Sequence, residues 1–142
     1  MENVNLRDIK KAVENKLIIA FPNVTVYEGN LTKGFPRPSL HTQINSISRN
    51  DHLYISERGM TITIHYFPPD RYQYEFDNMS TQETLESTFK LNFKVKDRTF
   101  TIEESRSQVI DGVLEFEFDF NFNESNAPSD ESEIMQDLEL NV

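Results

Sequence analysis

The chain has 142 residues, which supports one domain with a sizeable core, and its formal net charge is −10 at pH 7. Cysteine is absent, which excludes disulfide bonds and thiolate metal sites and is compatible with a reducing compartment. No apolar run approaches the length of a membrane span, and the first residues lack the apolar region of a signal peptide, so we expect a soluble protein made in the cytoplasm.

The negative charge is concentrated near the C-terminal end. Residues 123–142 contain six acidic residues and no Lys or Arg. Tight binding of nucleic acid needs basic patches that neutralise phosphates, and the sequence offers no dominant one, so we expect no DNA-binding surface. The same segment is rich in Ser and Asn and poor in aromatic residues, which predicts a disordered acidic tail.

The first predicted element is an amphipathic helix. Asn5 is a suitable N-cap, Asp8 follows at the third helical position, and Pro22 ends the helix. Apolar residues recur at three- and four-residue steps, and they predict a buried face made of Leu6, Ile9, Val13 and Leu17. A short strand is predicted at 24–27.

The next segment predicts a loop followed by a long β-hairpin. Residues 28–38 contain several Gly and Pro residues, which is typical of an irregular loop. Phe35 in this loop either packs onto the core or is an exposed anchor for a partner, and packing is the favoured interpretation. Strands are predicted at 39–47 and 53–67, with a polar turn at 48–52 between them. Alternation in the second strand places Ile62, Ile64 and Tyr66 on the core face.

The middle of the chain predicts a second helix and a short hairpin. Ser80 and Glu83 form a capping-box pattern, which predicts a helix over 81–91. Residues 71–77 are rich in Tyr and are ambiguous. Strands at 93–96 and 99–103 are predicted to pair around Asp97-Arg98.

The strongest pattern lies at 111–122, where apolar and polar residues alternate strictly. Successive side chains of a strand point to opposite faces, so this segment predicts a core strand that buries Leu114, Phe116, Phe118 and Phe120. Asp111-Gly112 predicts a tight turn before it. The order of elements predicts an α+β domain over 1–122, an antiparallel or mixed β-sheet packed against two α-helices, followed by a flexible acidic tail at 123–142.

The opposite face of the same strand carries Glu115, Glu117 and Asp119, with about 6.5–7 Å between alternate residues. This spacing could suit a hard cation or an acid–base pair, but a solvated face is common in antiparallel sheets and is favoured. The sequence contains no phosphate-binding loop, nucleophile elbow or zinc-binding helix motif, and its three His residues are well separated. We therefore expect no enzymatic activity and no cofactor or metal.

Several stretches follow one another in a recognisable order. They are Ala20-Phe21-Pro22, Val26-Tyr27-Glu28, Gly34-Phe35 with Pro38, Ile64-His65-Tyr66-Phe67-Pro68, and Ile110-Asp111-Gly112-Val113-Leu114 running into the strand that ends Asp119-Phe120-Asn121-Phe122. Taken together, these stretches resemble the small tail terminator (tail-completion, head–tail joining) proteins of phages and prophages of Gram-positive bacteria. The resemblance covers about residues 6–122. Two features depart from the family pattern: the middle helix is short and polar, and the tail after Asn123 looks like an addition.

The resemblance implies a structural role in the virion. Proteins of this kind form a ring, usually a hexamer, at the head-proximal end of the tail tube, where they stop tube growth and present a surface to head-completion proteins. The implied partners are other copies of the chain, the tail tube protein and a head-completion or connector protein, with the tail sheath as a further candidate. DNA would pass through without specific binding, and no membrane is involved. The implied location is the host cytoplasm during assembly and then the head-proximal end of the virion tail.

A closed ring repeats one heterologous interface by rotation, so each copy needs two different surfaces. The hairpin 39–67 and the loop 28–38 are the candidates, with Phe35, Arg37, Leu53, Tyr54 and Arg58 as candidate subunit or tube contacts. Under the same resemblance, Glu115, Glu117 and Asp119 could line the DNA passage and repel phosphate, an interpretation ranked below an ordinary solvated face.

Two other functional classes stay open. One is a monomeric acidic adaptor or inhibitor that binds a basic partner through its C-terminal tail. The other is a metal-assisted hydrolase that uses the acidic stripe, and it is the weakest of the three because supporting His or loop ligands are missing.

Overall fold

The computed structural model describes residues 4–29, 35–90, 92–102 and 104–125. Within these ranges the chain forms two helices and seven strands. In chain order they are α1 (Leu6–Ala20), β1 (Thr25–Tyr27), β2 (Ser39–Asp51), β3 (Ile55–Phe67), α2 (Glu75–Thr88), β4 (Phe93–Val95), β5 (Arg98–Phe100), β6 (Ser105–Ile110) and β7 (Val113–Ser125). The α+β prediction is confirmed. Of the predicted tail, residues 126–142 lie outside the described residues.

Five of the strands form a mixed sheet in the order β1-β2-β3-β7-β6. β1 pairs parallel with β2, and the other pairings are antiparallel. The β3–β7 ladder is the longest: it runs from Ile55 opposite Ser125 to Tyr66 opposite Leu114. β7 therefore continues three residues past Phe122, the predicted end of the domain. β4 and β5 pair with each other in a separate hairpin.

Both helices cover one face of the five-stranded sheet, and the core lies between them and the sheet. The ring of Phe89, which directly follows α2, stacks on Phe118 of β7 with centroids 5.3 Å apart. Each large apolar side chain buried here stabilises the fold by about 1.5–3 kcal/mol. The buried residues of the predicted core are Ile9, Val13, Leu17, Ile62, Ile64, Tyr66, Leu114, Phe116, Phe118 and Phe120, and Leu6 is partly buried against the same cluster.

The N-terminus of α1 has the predicted cap. The side chain of Asn5 accepts a hydrogen bond of 2.8 Å from the backbone N–H of Asp8. The carboxylate of Asp8 accepts one of 3.2 Å from the backbone N–H of Asn5. This reciprocal pair satisfies two donors that the first turn of a helix would otherwise leave without partners.

The predicted start of α2 is wrong. The helix begins at Glu75 after Tyr74, no side chain caps it, and Ser80 lies inside it rather than at its cap. Tertiary hydrogen bonds fix its first turns instead: Tyr66 donates to Asp77, and Asn78 donates to the carbonyl of Gly112. The helix also ends at Thr88, three residues before its predicted end. Residue 91, the predicted last residue, lies outside the described residues.

The predicted polar turn at 48–52 is also wrong, because β2 continues to Asp51 and pairs with the start of β3. The ladder shifts register between Asn45 and Ser48, where Ser46 has a positive φ of 52°, as expected for a β-bulge. Opposite this bulge, a Cβ on Gly59 would lie 2.5 Å from Oδ1 of Asn121 on β7, so the glycine leaves room for that side chain. The turn of the hairpin lies at 52–54.

The predicted turn at Asp111-Gly112 joins β6 to β7. Both residues have positive φ, 52° and 80°, as in the type I′ turns that suit twisted hairpins. The ring of Tyr74 packs against Gly112, at 3.0 Å from the position a Cβ would occupy. The β4–β5 hairpin turns at Lys96-Asp97, one residue earlier than predicted, and residue 103 of the predicted second strand lies outside the described residues.

Candidate assembly surfaces

The face of the sheet opposite the helices is polar, as alternation along β7 predicts. Four strands contribute to it, and their registers place the three carboxylates of β7 beside polar residues of β3 and β6. We call this surface the polar face; its residues are His41, Gln43, Asn45, Thr61, Thr63, His65, Arg106, Gln108, Glu115, Glu117 and Asp119.

The carboxylates of the polar face are bonded to their neighbours. Nε of Arg106 donates to Oε1 of Glu117 at 2.8 Å, and its Nη2 lies 3.4 Å from Oδ1 of Asp119. Arg106, together with the hydroxyl of Thr61, holds the pKa of Asp119 below its usual value. Glu115 lies 3.0 Å from Nε2 of His65. The stripe is therefore less negative than its sequence indicates, because Arg106 neutralises part of it.

The histidines of the polar face have structural partners. Nε2 of His41 lies 2.9 Å from the carbonyl oxygen of Gly29, and its ring centroid lies 6.2 Å from that of His65. Burial lowers the pKa of His41, which favours the neutral ring. In the described part of the chain, no group of three or more His, Asp or Glu side chains is placed to hold a metal ion. No helix found there is long and apolar enough to cross a membrane.

The β2–β3 hairpin exposes apolar side chains at its turn. Leu53 is 80% exposed, Tyr54 is 66% exposed, and Ile55 is also exposed. We call these three residues the tip cluster. Arg58, another candidate contact, lies further along β3 and forms a 3.6 Å salt bridge with Glu124, in which both side chains are largely buried. The side chain of Arg58 is therefore mostly buried beside Glu124 of β7 and is not part of the exposed surface.

Phe35 and Arg37 lie at the other end of the sheet from the tip cluster. The ring of Phe35 packs edge-on against Phe67 with centroids 4.6 Å apart. Arg37 stacks over the same ring at 5.8 Å and donates a 3.2 Å hydrogen bond to the carbonyl of Pro68. Both side chains are half-buried, so Phe35 packs as a plug on the end of β3.

A second exposed apolar group lies around the β6–β7 turn, and sequence reasoning did not find it. Tyr72, Phe76 and Met79 project from α2 and the segment before it, and Val109 and Ile110 end β6. Contacts of Tyr74 and Asn78 with Gly112 hold the start of α2 against this turn. We call the five residues the turn cluster, in which Val109, opposite Leu114, and Ile110, opposite Val113, point to different faces of the sheet. Their only sequence signal was the Tyr-rich segment 71–77, whose conformation was ambiguous.

The tip cluster and the turn cluster lie at opposite ends of the longest strands. In the β3–β7 ladder, Ile55 pairs with Ser125 at one end, and Tyr66 pairs with Leu114 at the other. At about 3.3 Å per residue, these ends are roughly 35 Å apart. Monomeric proteins rarely leave grouped apolar side chains in water, so both groups are candidate contact surfaces.

A domain with two apolar ends and an internally bonded polar face has the features of a structural protein that assembles with other subunits. The chain belongs to the phage tail terminator family: residues 8–132 match the family model described as Phage tail terminator protein. The match extends into the segment that looked like an addition. No curated protein matches the chain. The protein is thus a structural, non-enzymatic component of a phage tail whose role is to terminate the tail tube.

Proposed function

We propose that copies of this chain close into a ring on the head-proximal end of the tail tube, where the ring stops tube growth and forms the head–tail joining surface. The observation that carries this proposal is the separation of two exposed apolar clusters to opposite ends of one small sheet. An isologous dimer needs one self-complementary patch, whereas a ring needs two different surfaces on each copy. We infer that the two clusters supply these two surfaces.

In the proposed ring, the tip cluster of one copy packs against the turn cluster of the next. Leu53 and Tyr54 project from a hairpin turn, so they can enter a neighbouring surface without rearrangement of the core. The turn cluster offers Phe76, which is 81% exposed, beside Met79 one helical turn later. Burying these side chains would add about 1.5–3 kcal/mol each at every interface.

The polar face remains free of subunit contacts in this arrangement and is available to face solvent or the DNA passage. Its carboxylates repel phosphate, and Arg106 is engaged by two of them. The proposed partners are therefore further copies of the chain, the tail tube protein at one side of the ring and a head-completion or connector protein at the other.

The first test is the mass in solution by light scattering behind size exclusion, with and without purified tail tubes. We expect a species near six times 16.6 kDa, either free or on tube ends. A monomer that caps tubes would mean that the tube templates the ring. A monomer that ignores tube ends would overturn the proposal and favour the monomeric acidic adaptor.

A second test asks whether the interface is heterologous. Leu53→Asp disables the tip cluster, and Phe76→Asp disables the turn cluster, so each variant alone should lose the ring. In a mixture of the two variants, the Phe76→Asp chain still has its tip cluster and the Leu53→Asp chain still has its turn cluster. These two surfaces can pair once, so the mixture should give a dimer that grows no further. Ile19→Asp is the matched control, because Ile19 on α1 is also 80% exposed, and it should still form rings. A mixture that stays monomeric would argue against the pairing of these two clusters.

A further inference from the structure

The basic residues of this acidic chain are concentrated in one layer. α1 and the segment 90–98 hold eight of the 14 Lys and Arg residues and only three acids, Asp8, Glu14 and Asp97. All eight side chains are exposed or half-buried. We call this surface the basic layer; its cations are Arg7, Lys10, Lys11, Lys16, Lys90, Lys94, Lys96 and Arg98.

Contacts between α1 and the β4–β5 hairpin make the basic layer continuous. Nζ of Lys96 lies 3.2 Å from Oδ2 of Asp8 near the start of α1. Nζ of Lys16 lies 5.9 Å from the ring centroid of Phe93 on β4. β4 therefore runs beside α1, and the exposed Lys94 lies on the same layer as the cations of the helix. Charges that are far apart in the sequence are brought together by this packing.

Few of these cations form a salt bridge within the described part of the chain, although Asp8 and Glu14 attract the lysines of α1. Of the eight cations, Lys96 is the one that forms a salt bridge there. Glu28, Glu86 and Glu104 border the same surface. Like charges on one layer repel each other, so a negative partner close to the basic layer would be favourable.

The C-terminal end of the chain supplies that negative partner. Residues 126–142 contain five acids, Asp130, Glu131, Glu133, Asp137 and Glu139, and no Lys or Arg. The described chain ends at Ser125, two residues after Asn123, whose carbonyl accepts a 3.1 Å hydrogen bond from Arg98 of the basic layer. The segment thus starts at the edge of the layer. Its 17 residues can extend up to about 55 Å, which is more than enough to reach α1.

We propose that residues 126–142 dock on the basic layer of their own chain. Attachment at Ser125 gives the segment an effective concentration in the millimolar range at this surface, so several weak ion pairs suffice for occupancy. Docking covers the cations, and the five acids of the segment offset the net charge of +5 that the eight cations and three acids of the basic layer carry. Through this contact the segment shields α1 from DNA and other polyanions.

The absence of cysteine allows a direct test in the full-length chain. A nitroxide attached through Ser132→Cys should broaden the amide resonances of Lys10, Lys11 and Lys94 in an NMR spectrum. The amides of Thr61 and Thr63, on the polar face, should keep their intensity. Because the contact is electrostatic, the broadening should disappear at about 1 M salt, where the screening length is about 3 Å.

Two charge-reversed variants provide the comparison. Lys11→Glu together with Lys94→Glu should abolish the broadening at low salt. Arg49→Glu together with Arg71→Glu changes the net charge equally outside the basic layer and should leave the broadening intact. Equal broadening on both faces, or broadening that survives high salt, would overturn the proposal. So would broadening of an unlabelled, isotope-enriched chain by a spin-labelled second copy, since the contact would then lie between copies.

Discussion

The hydroxyl of Tyr66 donates a 2.6 Å hydrogen bond to Oδ2 of Asp77, which ties the middle of the sheet to the first turns of α2. Tyr66 is buried, and burial, followed by the bond to Asp77, raises the pKa of its hydroxyl above the usual value. The group therefore stays protonated, and a donor, at every pH at which the fold is expected to be stable. The hydrogen bond from Tyr66 fixes the start of α2, just as the side chain of Asn5 fixes the start of α1.

Tyr66→Phe should lower the free energy of unfolding by about 1.5 kcal/mol, the lower end for a hydrogen bond to a charged group, because Asp77 can turn to water. The measurement is urea denaturation followed by circular dichroism. Tyr72→Phe removes the hydroxyl of a 90% exposed tyrosine and should leave the midpoint unchanged. Equal midpoints for Tyr66→Phe and the wild type would show that the bond does not hold the helix.

The two helix starts give a paired prediction. Asn5→Ala removes the reciprocal cap of α1 and should cost about 1 kcal/mol, whereas Asn5→Ser should restore most of it. Ser80→Ala changes the residue that the sequence marked as a cap, but Ser80 lies inside α2, so the effect should stay within about 0.5 kcal/mol. Thermal unfolding of the three variants separates these outcomes, and a large loss in Ser80→Ala would contradict the observed start of α2.

Glu14 should make stability depend on pH with an unusual sign. It is 5% exposed on α1, and burial raises the pKa of its carboxyl although Lys10 opposes the shift. The folded chain thus holds this proton more tightly than the unfolded chain, so Glu14 destabilises the fold once the pH rises through its folded pKa. Glu14→Gln should raise the urea midpoint at pH 7 and give no gain near pH 3.5, below the unfolded pKa of about 4.3. Glu83→Gln, on the exposed side of α2, is the control and should change neither midpoint.

Charge reversal of the polar face tests its position in the proposed ring. If the face lines the DNA passage, replacing Glu115, Glu117 and Asp119 by Lys should slow DNA release, because cationic walls bind phosphate, while tail length stays normal. Release can be followed in purified particles with a dye that binds free DNA. Arg106→Gln removes a positive charge from the same face and should not slow release. Normal release from the Lys particles would place the polar face outside the passage.

The sequence predicted the elements whose signals are local. The alternation from Leu114 to Phe122 predicted β7 and its buried face, and Asn5 with Asp8 predicted the start of α1. Asp111-Gly112 predicted the turn, because both positions require a positive φ that few residues adopt. In each of these cases, a few adjacent residues determine the conformation.

The errors fall where distant residues decide the structure. α2 starts at Glu75 because Tyr66 and Gly112 bind its first turns, and neither partner is near it in the sequence. Residues 48–51 were predicted to form a turn because they are polar. They instead continue the β2–β3 ladder after a bulge, and that pairing depends on the opposite strand. The turn cluster was missed for the same reason, since its members are distant in the sequence. Of the basic layer, the sequence shows the run of Lys90, Lys94, Lys96 and Arg98, but its position beside α1 depends on packing.

β7 pairs with β3 along its whole length and carries β6 on its other edge, yet it is the last strand of the described chain. During synthesis, the apolar face of β3 must wait until about 50 further residues have left the ribosome, and that of α1 waits longer still. Pairing of such distant segments is a slow step, because the entropy cost of closing a long loop comes before the contacts that offset it form. The nascent chain is therefore most prone to aggregation just before its final strand emerges, and a product that stops before Val113 would lack the strand that joins β3 to β6.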